Sequence, residues 1–496
     1  MERPTYWLTR FLILRLLGIV YAVAFLATLL QIIPLIGEHG LTPASVFIRR
    51  ITQGLGVTTG FFRLPSFFWI NHSDTALLTL AWLGFILSLV VVAGFANSIL
   101  LTILWLLYMS FVNIGQEWYG YGWEIQLLET GFLAIFLVPL IDARPFPKRE
   151  PPTPIIVLFR WLICRIMLGS ALIKLRGDNV WRNGTALYYH FETQPLPGPL
   201  SRWFHFLPRV VLRLGVWYNW LAELIAPFFV FGPRIARHIA GIIIILLQLI
   251  LILSGNLSFL NYLTIIPALA CFDDAFWAKI LPKTLVRKAH TAINHTEPSR
   301  PMLITSRVVT VLIGMLSIQP VFNMLSPNQI MNTSYDPLNL VNTYGAFGSV
   351  GQERLNVVFQ GTMDSIPTDS AHWIDYPYKA LPTALDKRPP QVAPYQPRLD
   401  WQMWFAAMST PDEYPWTITL VDKLLHNDPL ALRLFGPNPF PNKPPLYIRA
   451  VLYRYRFAKP GNPTGQWWTR EQVGAPWLPA MAQDDQRILE FKKQSQ

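Results

Sequence analysis

The chemically informative side chains of this sequence are ionisable groups set inside apolar runs. Glu124 and Glu129 lie in Gly122-Trp123-Glu124-Ile125-Gln126-Leu127-Leu128-Glu129, and Arg160, Arg165 and Lys174 punctuate a second apolar stretch. A lone charge in hydrocarbon is costly, so such residues pair with one another or line a polar cavity. Pairing of Glu124 or Glu129 with Arg165 or Lys174 is the expected arrangement, and it would lock helix to helix. Lys174 ends the stretch Gly169-Ser170-Ala171-Leu172-Ile173-Lys174-Leu175. It either snorkels to the interface, or is buried against apolar walls, where a depressed pKa would make it a base. His190 and Glu192 follow in Tyr188-Tyr189-His190-Phe191-Glu192-Thr193-Gln194-Pro195. Two residues of separation place them on different sides of a helix, so only a loop or strand would let them exchange a proton. Lys174, His190, Glu192, Glu124 and Glu129 are thus the catalytic candidates. Glu223, Gln248, Asn256 and Asn261, also in or beside apolar runs, are expected to line a bundle interior through interhelical hydrogen bonds.

Other chemistries lack their signatures. The sequence holds no GxSxG, HExxH or P-loop pattern, and no second histidine stands at ligand spacing near His190, with His205 farther along the chain. No metal or cofactor is expected. Cys164 and Cys271 are the sole cysteines, and both fall in apolar segments, so neither a disulfide framework nor a CxxC redox pair is available. The net charge of +12 is spread among apolar runs and forms no basic stripe, which argues against a nucleic-acid partner.

The elements that must position these residues are membrane spans. Of 496 residues, 52% are hydrophobic and 14% charged, whereas a soluble domain carries about 25% charged residues. Spans of about 20 apolar residues are read at 11–36, 75–95, 97–114, 123–141, 155–174, 214–232, 235–254, 256–271 and 303–325. The first is too long for the core of a cleavable signal peptide and is kept as a span. Short loops on the N-terminal side carry Arg3, Arg10, Arg144, Lys148, Arg149, Arg234, Arg237, Lys279, Lys283, Arg287, Lys288 and Arg300. The longer opposite loops carry fewer Lys and Arg, which puts the N-terminus in the cytoplasm. An odd number of crossings then delivers the remainder outside it. The expected fold is an α-helical polytopic membrane bundle of about nine spans (1–325), followed by an extracytoplasmic α+β domain rich in strands (326–496).

That C-terminal region turns rich in Pro, Trp and Tyr. Alternation predicts strands at 354–361 and 446–457, a helix at 401–408 capped by Asp400, and another at 417–426. Large aromatics serve cores and binding surfaces alike. Tyr344, Arg398, Asp400, Trp401, Trp404, Arg449, Trp467 and Trp468 are the candidate partner-binding residues. Arg449, Arg454 and Arg456 are expected to pair with Glu353 or Asp400, or to touch lipid phosphate.

Several ordered motifs resemble the lipase maturation factors: Tyr121-Gly122-Trp123-Glu124, His190-Phe191-Glu192-Thr193-Gln194-Pro195-Leu196-Pro197, Asn342-Thr343-Tyr344-Gly345, Pro397-Arg398-Leu399-Asp400-Trp401, Asn438-Pro439-Phe440 and Trp467-Trp468-Thr469-Arg470-Glu471. The resemblance implies a multi-pass protein of the endoplasmic reticulum membrane. Such a protein acts as a chaperone-like maturation factor whose clients are secreted lipases, such as lipoprotein lipase, that assemble into active dimers. It would not itself be an enzyme. The compact chain shows no retention signal, and its cysteines are intramembrane, which also fits a bacterial inner membrane. A second, shorter likeness joins 169–184 to the membrane segment of vitamin K-dependent γ-glutamyl carboxylase. It implies the alternative of an intramembrane enzyme with Lys174 as base, acting on a lipid, quinone-like or protein substrate.

Overall fold

The computed structural model describes residues 4–495; Arg3, counted above among the charges of the N-terminal side, lies outside them. The principal helices of the first two thirds are Trp7–Ile36 (α1), Asp74–Ala93 (α2), Ser98–Ile114 (α3), Gly122–Ile135 (α4), Thr153–Arg176 (α5), Arg209–Trp220 (α6), Arg234–Ser254 (α7), Leu260–Ala268 (α8) and Arg300–Leu316 (α9). Among the described residues, α1, α2, α5, α7 and the stretch Arg300–Leu325 are long and apolar enough to cross a membrane. Two of the other segments read as spans, 123–141 and 256–271, are helical over only part of their length. Helix α4 ends at Ile135. Helix α8 carries Pro267 and tightens into a 3-10 turn at Leu269–Cys271. The segment read at 97–114 is helix α3, and that read at 214–232 is helical to Phe229, with α-helix at Ala226–Phe229 after α6 widens into a π turn at Leu221–Ile225. Pro227 follows directly, and its ring is incompatible with an α-helical carbonyl at Glu223, which the wider turn relieves.

Helices α2 and α3 are distinct elements. Gly94 has φ of 128°, a conformation that L side chains rarely adopt. The Asn97 side chain then accepts from the Leu100 N–H at 2.9 Å to start α3.

Polar contacts define two ends of the bundle. At one, Asp274 accepts from the N–H groups of Trp7 and Leu8 at 2.9 and 2.7 Å, capping α1 from a remote segment. Arg10 donates there to the carbonyls of Leu137 and Arg149, and Arg234 and Arg237 converge on Asp273. The other end holds the last turn of α1, the first turn of α4 and the loop after α7. All three are bonded to the C-terminal region: Gln31 accepts from the Arg398 N–H, the Trp123 indole donates to Gln396, and Asn256 accepts from the N–H groups of Val392 and Ala393.

Five strands form one antiparallel sheet: β1 (Arg354–Thr362), β2 (Ile374–Asp375), β3 (Tyr447–Phe457), β4 (Trp468–Gln472) and β5 (Leu478–Met481). The order is β2-β1-β3-β4, with β5 also on β3. β1 pairs with β3 along its whole length, from Arg354 opposite Tyr455 to Thr362 opposite Tyr447. Both strands expected from the alternation are therefore present, within a residue of the expected ends. Helices Arg398–Ala406 (α10) and Trp416–Leu425 (α11) pack beside the sheet.

Asp400 does not cap its helix. α10 begins earlier, after Pro397, and Asp400 lies in its first turn, fully buried. Its Oδ1 accepts from the N–H groups of Ala380 and Leu381 at 2.6 and 3.2 Å, while Oδ2 has no partner. Burial raises this carboxyl from 3.8 to about 7, against the opposing pull of those two N–H groups. Between these values the folded protein holds a proton that the unfolded chain has released, so stability falls as pH rises from about 4 to about 7 and is level above. Asp400→Asn keeps an acceptor for both N–H groups and removes the titration. Its thermal unfolding in detergent should therefore lack a pH-dependent component on the order of 4 kcal/mol at 1.36 kcal/mol per pH unit. Identical profiles for the two proteins would refute this assignment.

Candidate functional site

Burial of charge organises the interior at the end of the bundle that carries the C-terminal region. Glu124 and Arg398 are fully buried and 2.9 Å apart. Arg398 also donates to the Trp118 carbonyl and lies 3.6 Å from the Tyr119 ring centroid, and the Tyr108 hydroxyl donates to Glu124. Glu129 pairs with Arg165, as one of the expected combinations had it. It further accepts from the Asn342 N–H at 3.0 Å and the Tyr344 hydroxyl at 2.7 Å, while Arg165 donates to the Asn342 carbonyl. The backbone reaches this point because Gly169 on α5 leaves room: a Cβ there would stand 2.3 Å from the Tyr344 carbonyl oxygen.

Lys174 pairs with neither glutamate of α4. Its Nζ lies 2.6 Å from both carboxylate oxygens of Glu223 and 3.3 Å from Asn219 Oδ1, with the Trp181 ring 4.7 Å away. These acceptors and the ring surround the Lys174 nitrogen, so the geometry makes it a partner in a buried ion pair. The π turn is what aims Glu223. Asn219 and Glu223 stand four residues apart, a spacing that puts both on one helix face, and this was the available signal for their shared role.

His190 and Glu192 lie on one short helix, Leu187–Thr193, and diverge. His190 is buried among the rings of Phe191 and Phe347, and burial, with some help from the Lys174 charge, pushes its imidazole down to about 4. Glu192 turns toward the sheet, where it accepts from the Phe457 N–H at 2.7 Å and meets His205 at 3.7 Å. The distant histidine, not the near one, is its neighbour. Burial raises the Glu192 carboxyl and lowers His205, so both changes oppose a charged pair.

Lys174, Glu223, Asn219 and His190 line a cavity of about 680 Å³ between α4, α5, α6, α7 and α8. Trp401, Trp404 and Phe405 of α10 close one side and Tyr344–Phe347 another. Asn261 donates to Gln248 at 2.8 Å and Gln126 donates to Thr264 at 3.1 Å across the wall. Lys174 and Glu223 neutralise each other in the wall, Arg176 donates to Gln329 at 2.6 Å, and most of the lining is apolar, so the cavity suits an apolar or amphipathic group.

Most of the candidate partner-binding residues face inward. Tyr344, Arg398, Asp400, Trp401, Arg449 and Trp468 are buried, and Trp404 and Trp467 are half-buried. Trp401 packs edge-on against Trp123 at 4.9 Å, Trp404 donates to the Thr193 carbonyl, and Trp468 stacks on Phe457 at 4.1 Å. Trp467 lies between Arg202 and Arg388. Arg449 bonds Gln360 and Asp369 over the Trp373 ring, and Arg454 takes the expected partner Glu353 at 2.9 Å. In this conformation the six buried side chains join segments and are unavailable to a second protein.

Comparison with known proteins follows the same division. Residues 8–279 match the family model described as the lipase maturation factor transmembrane domain, and residues 340–477 the one described as the lipase maturation factor C-terminal domain. Lipase maturation factor 1 of Bos taurus is 43% identical over 97% of this chain and 90% of its own length, and that of Homo sapiens 44% identical over 96% and 88%. Lipase maturation factor 2 of Homo sapiens is 29% identical over 94% and 82%. No solved structure matches.

Removing one partner of the Lys174–Glu223 pair strands a buried charge. Lys174→Met should lower stability by about 3–5 kcal/mol, and Lys174→Met combined with Glu223→Leu should recover most of that loss in thermal unfolding. A double variant as unstable as the single one would refute the pairing.

Proposed function

Because the chain belongs to the lipase maturation factor family, we propose that it acts as a membrane-anchored maturation factor whose clients are secreted lipases. The observation that carries this reading is the family membership across both the transmembrane and C-terminal models, with coverage of most of each relative. The geometry adds one support. Arg10 with Arg149, and Arg234 with Arg237, gather at the Asp273–Asp274 end, which favours a cytoplasmic N-terminus and, for an odd number of crossings, a C-terminal region, 326–496, on the lumenal face of the endoplasmic reticulum. An intramembrane enzyme with Lys174 as base draws no support from a lysine so fully paired.

The client meets the outer surface of the sheet region. There Met363, Ile366 and Leu446 are exposed where β1 ends and β3 begins. The Leu446 N–H donates to the Thr362 carbonyl and the Tyr447 hydroxyl to that of Ser365, which joins the two segments that carry these side chains. Neighbouring exposed apolar groups of this kind mark contact sites.

In cells lacking their own lipase maturation factor, expression of this chain should restore the specific activity of a secreted lipase. Ile366→Asp should reach the membrane at normal levels and restore less. Unchanged lipase activity with the chain present would remove the proposal, and full rescue by Ile366→Asp would remove the assigned contact surface.

A further inference from the structure

Opposite the C-terminal region, the bundle ends in a recess of about 670 Å³ whose polar lining is basic. Arg144, Lys148, Lys288 and His295 line it together with Phe11 and Phe146, and no acidic residue does. Two of these basic groups are already paired with carboxylates outside the lining. Asp142 is held by Arg144 at 2.6 Å, and Glu297 is shared by Lys148 at 3.5 Å and Arg149 at 3.4 Å. Lys288 has no ion pair among the described residues.

Arg15 adjoins this recess from α1. Its guanidinium lies 5.0 Å from the Phe11 ring centroid, and Nη1 stands 3.1 Å from where a Cβ on Gly94 would be. Both residues line the recess. Arg15 Nε and Nη1 are buried and have no hydrogen-bond partner. A guanidinium withdrawn from water with unused donors is an incomplete site, and the oxygens of a phosphate complete such a fork with charge-assisted bonds.

We propose that the recess binds the headgroup phosphate of an anionic phospholipid from the leaflet on the N-terminal side. The surroundings favour a lipid over a free anion. Phe11 and Phe146 stack at 5.1 Å beside the basic groups. Ile19, one turn along α1 from Arg15, and Phe95, next to Gly94, are exposed and offer an apolar track for acyl chains. The amphipathic helix Lys283–Asn294 holds Lys288 at the rim, anchored by Ala289 and Ala292 in a cluster with Trp7 and Leu8.

The test is native mass spectrometry of the full-length protein with equal amounts of phosphatidylglycerol and phosphatidylcholine. Phosphatidylglycerol should be retained preferentially. Arg15→Gln and Lys288→Gln should each reduce that retention by about fivefold, the weight of one basic group at an anionic surface. Lys279→Gln, an exposed charge at the same end outside the recess, should leave it unchanged. Lys288 lies on a surface helix, so its variant keeps the test valid should Arg15→Gln fold poorly. Equal retention of the two lipids, an equal loss in Lys279→Gln, or thermal stabilisation by inorganic phosphate alone matching that by phosphatidylglycerol would each overturn the proposal.

Discussion

A charge inside a lipid bilayer needs its partner within bonding distance, and much of this molecule is arranged to supply partners. Glu124 and Glu129 on α4 are answered from far along the chain, by Arg398 and by the Asn342 N–H and the Tyr344 hydroxyl, with Arg165 as the one cation from a neighbouring span. Breaking a buried pair costs far more than its net contribution to stability. The pairs therefore favour this seating of the C-terminal region on the bundle over any that would leave one of these charges without its partner.

Hydrogen bonds to the backbone extend the same fit. Arg354, at the start of β1, donates to the carbonyls of Glu192, Gln194 and Pro195, fastening the sheet to the loop between α5 and α6. Asn256 ties the segment 390–393 to the end of α7. A region fixed at so many points presents its outer surface at a set height and orientation above the membrane. For a factor that acts on other proteins, such rigidity means a preformed platform and little ordering on contact.

The membrane class, the main strands and the pairing need of the charges inside apolar runs were legible in the residues, because hydropathy and alternation are local properties. The pairing of Glu129 with Arg165 was among the combinations that need allowed. Arg398 as the partner of Glu124 was not, since it lies 274 residues away with no local signal. Asp400 shows the same limit: a carboxylate at the head of a helix suggests a cap, yet tertiary packing turned it toward Ala380 and Leu381. Hydropathy does not show backbone irregularity: the apolar run at 256–271 is helical only from Leu260 and tightens into a 3-10 turn after Pro267, and that at 214–232 contains a π turn before Pro227. The aromatic residues pointed equally to core and surface, and burial chose the core for most.

The Glu124–Arg398 pair also bears on how the chain is made. Translation runs from the N-terminus at about 5–20 residues per second, so Glu124 enters the membrane roughly tens of seconds before Arg398 exists. Closure of the bundle at this pair therefore waits for the arginine, which makes it one of the last events of synthesis.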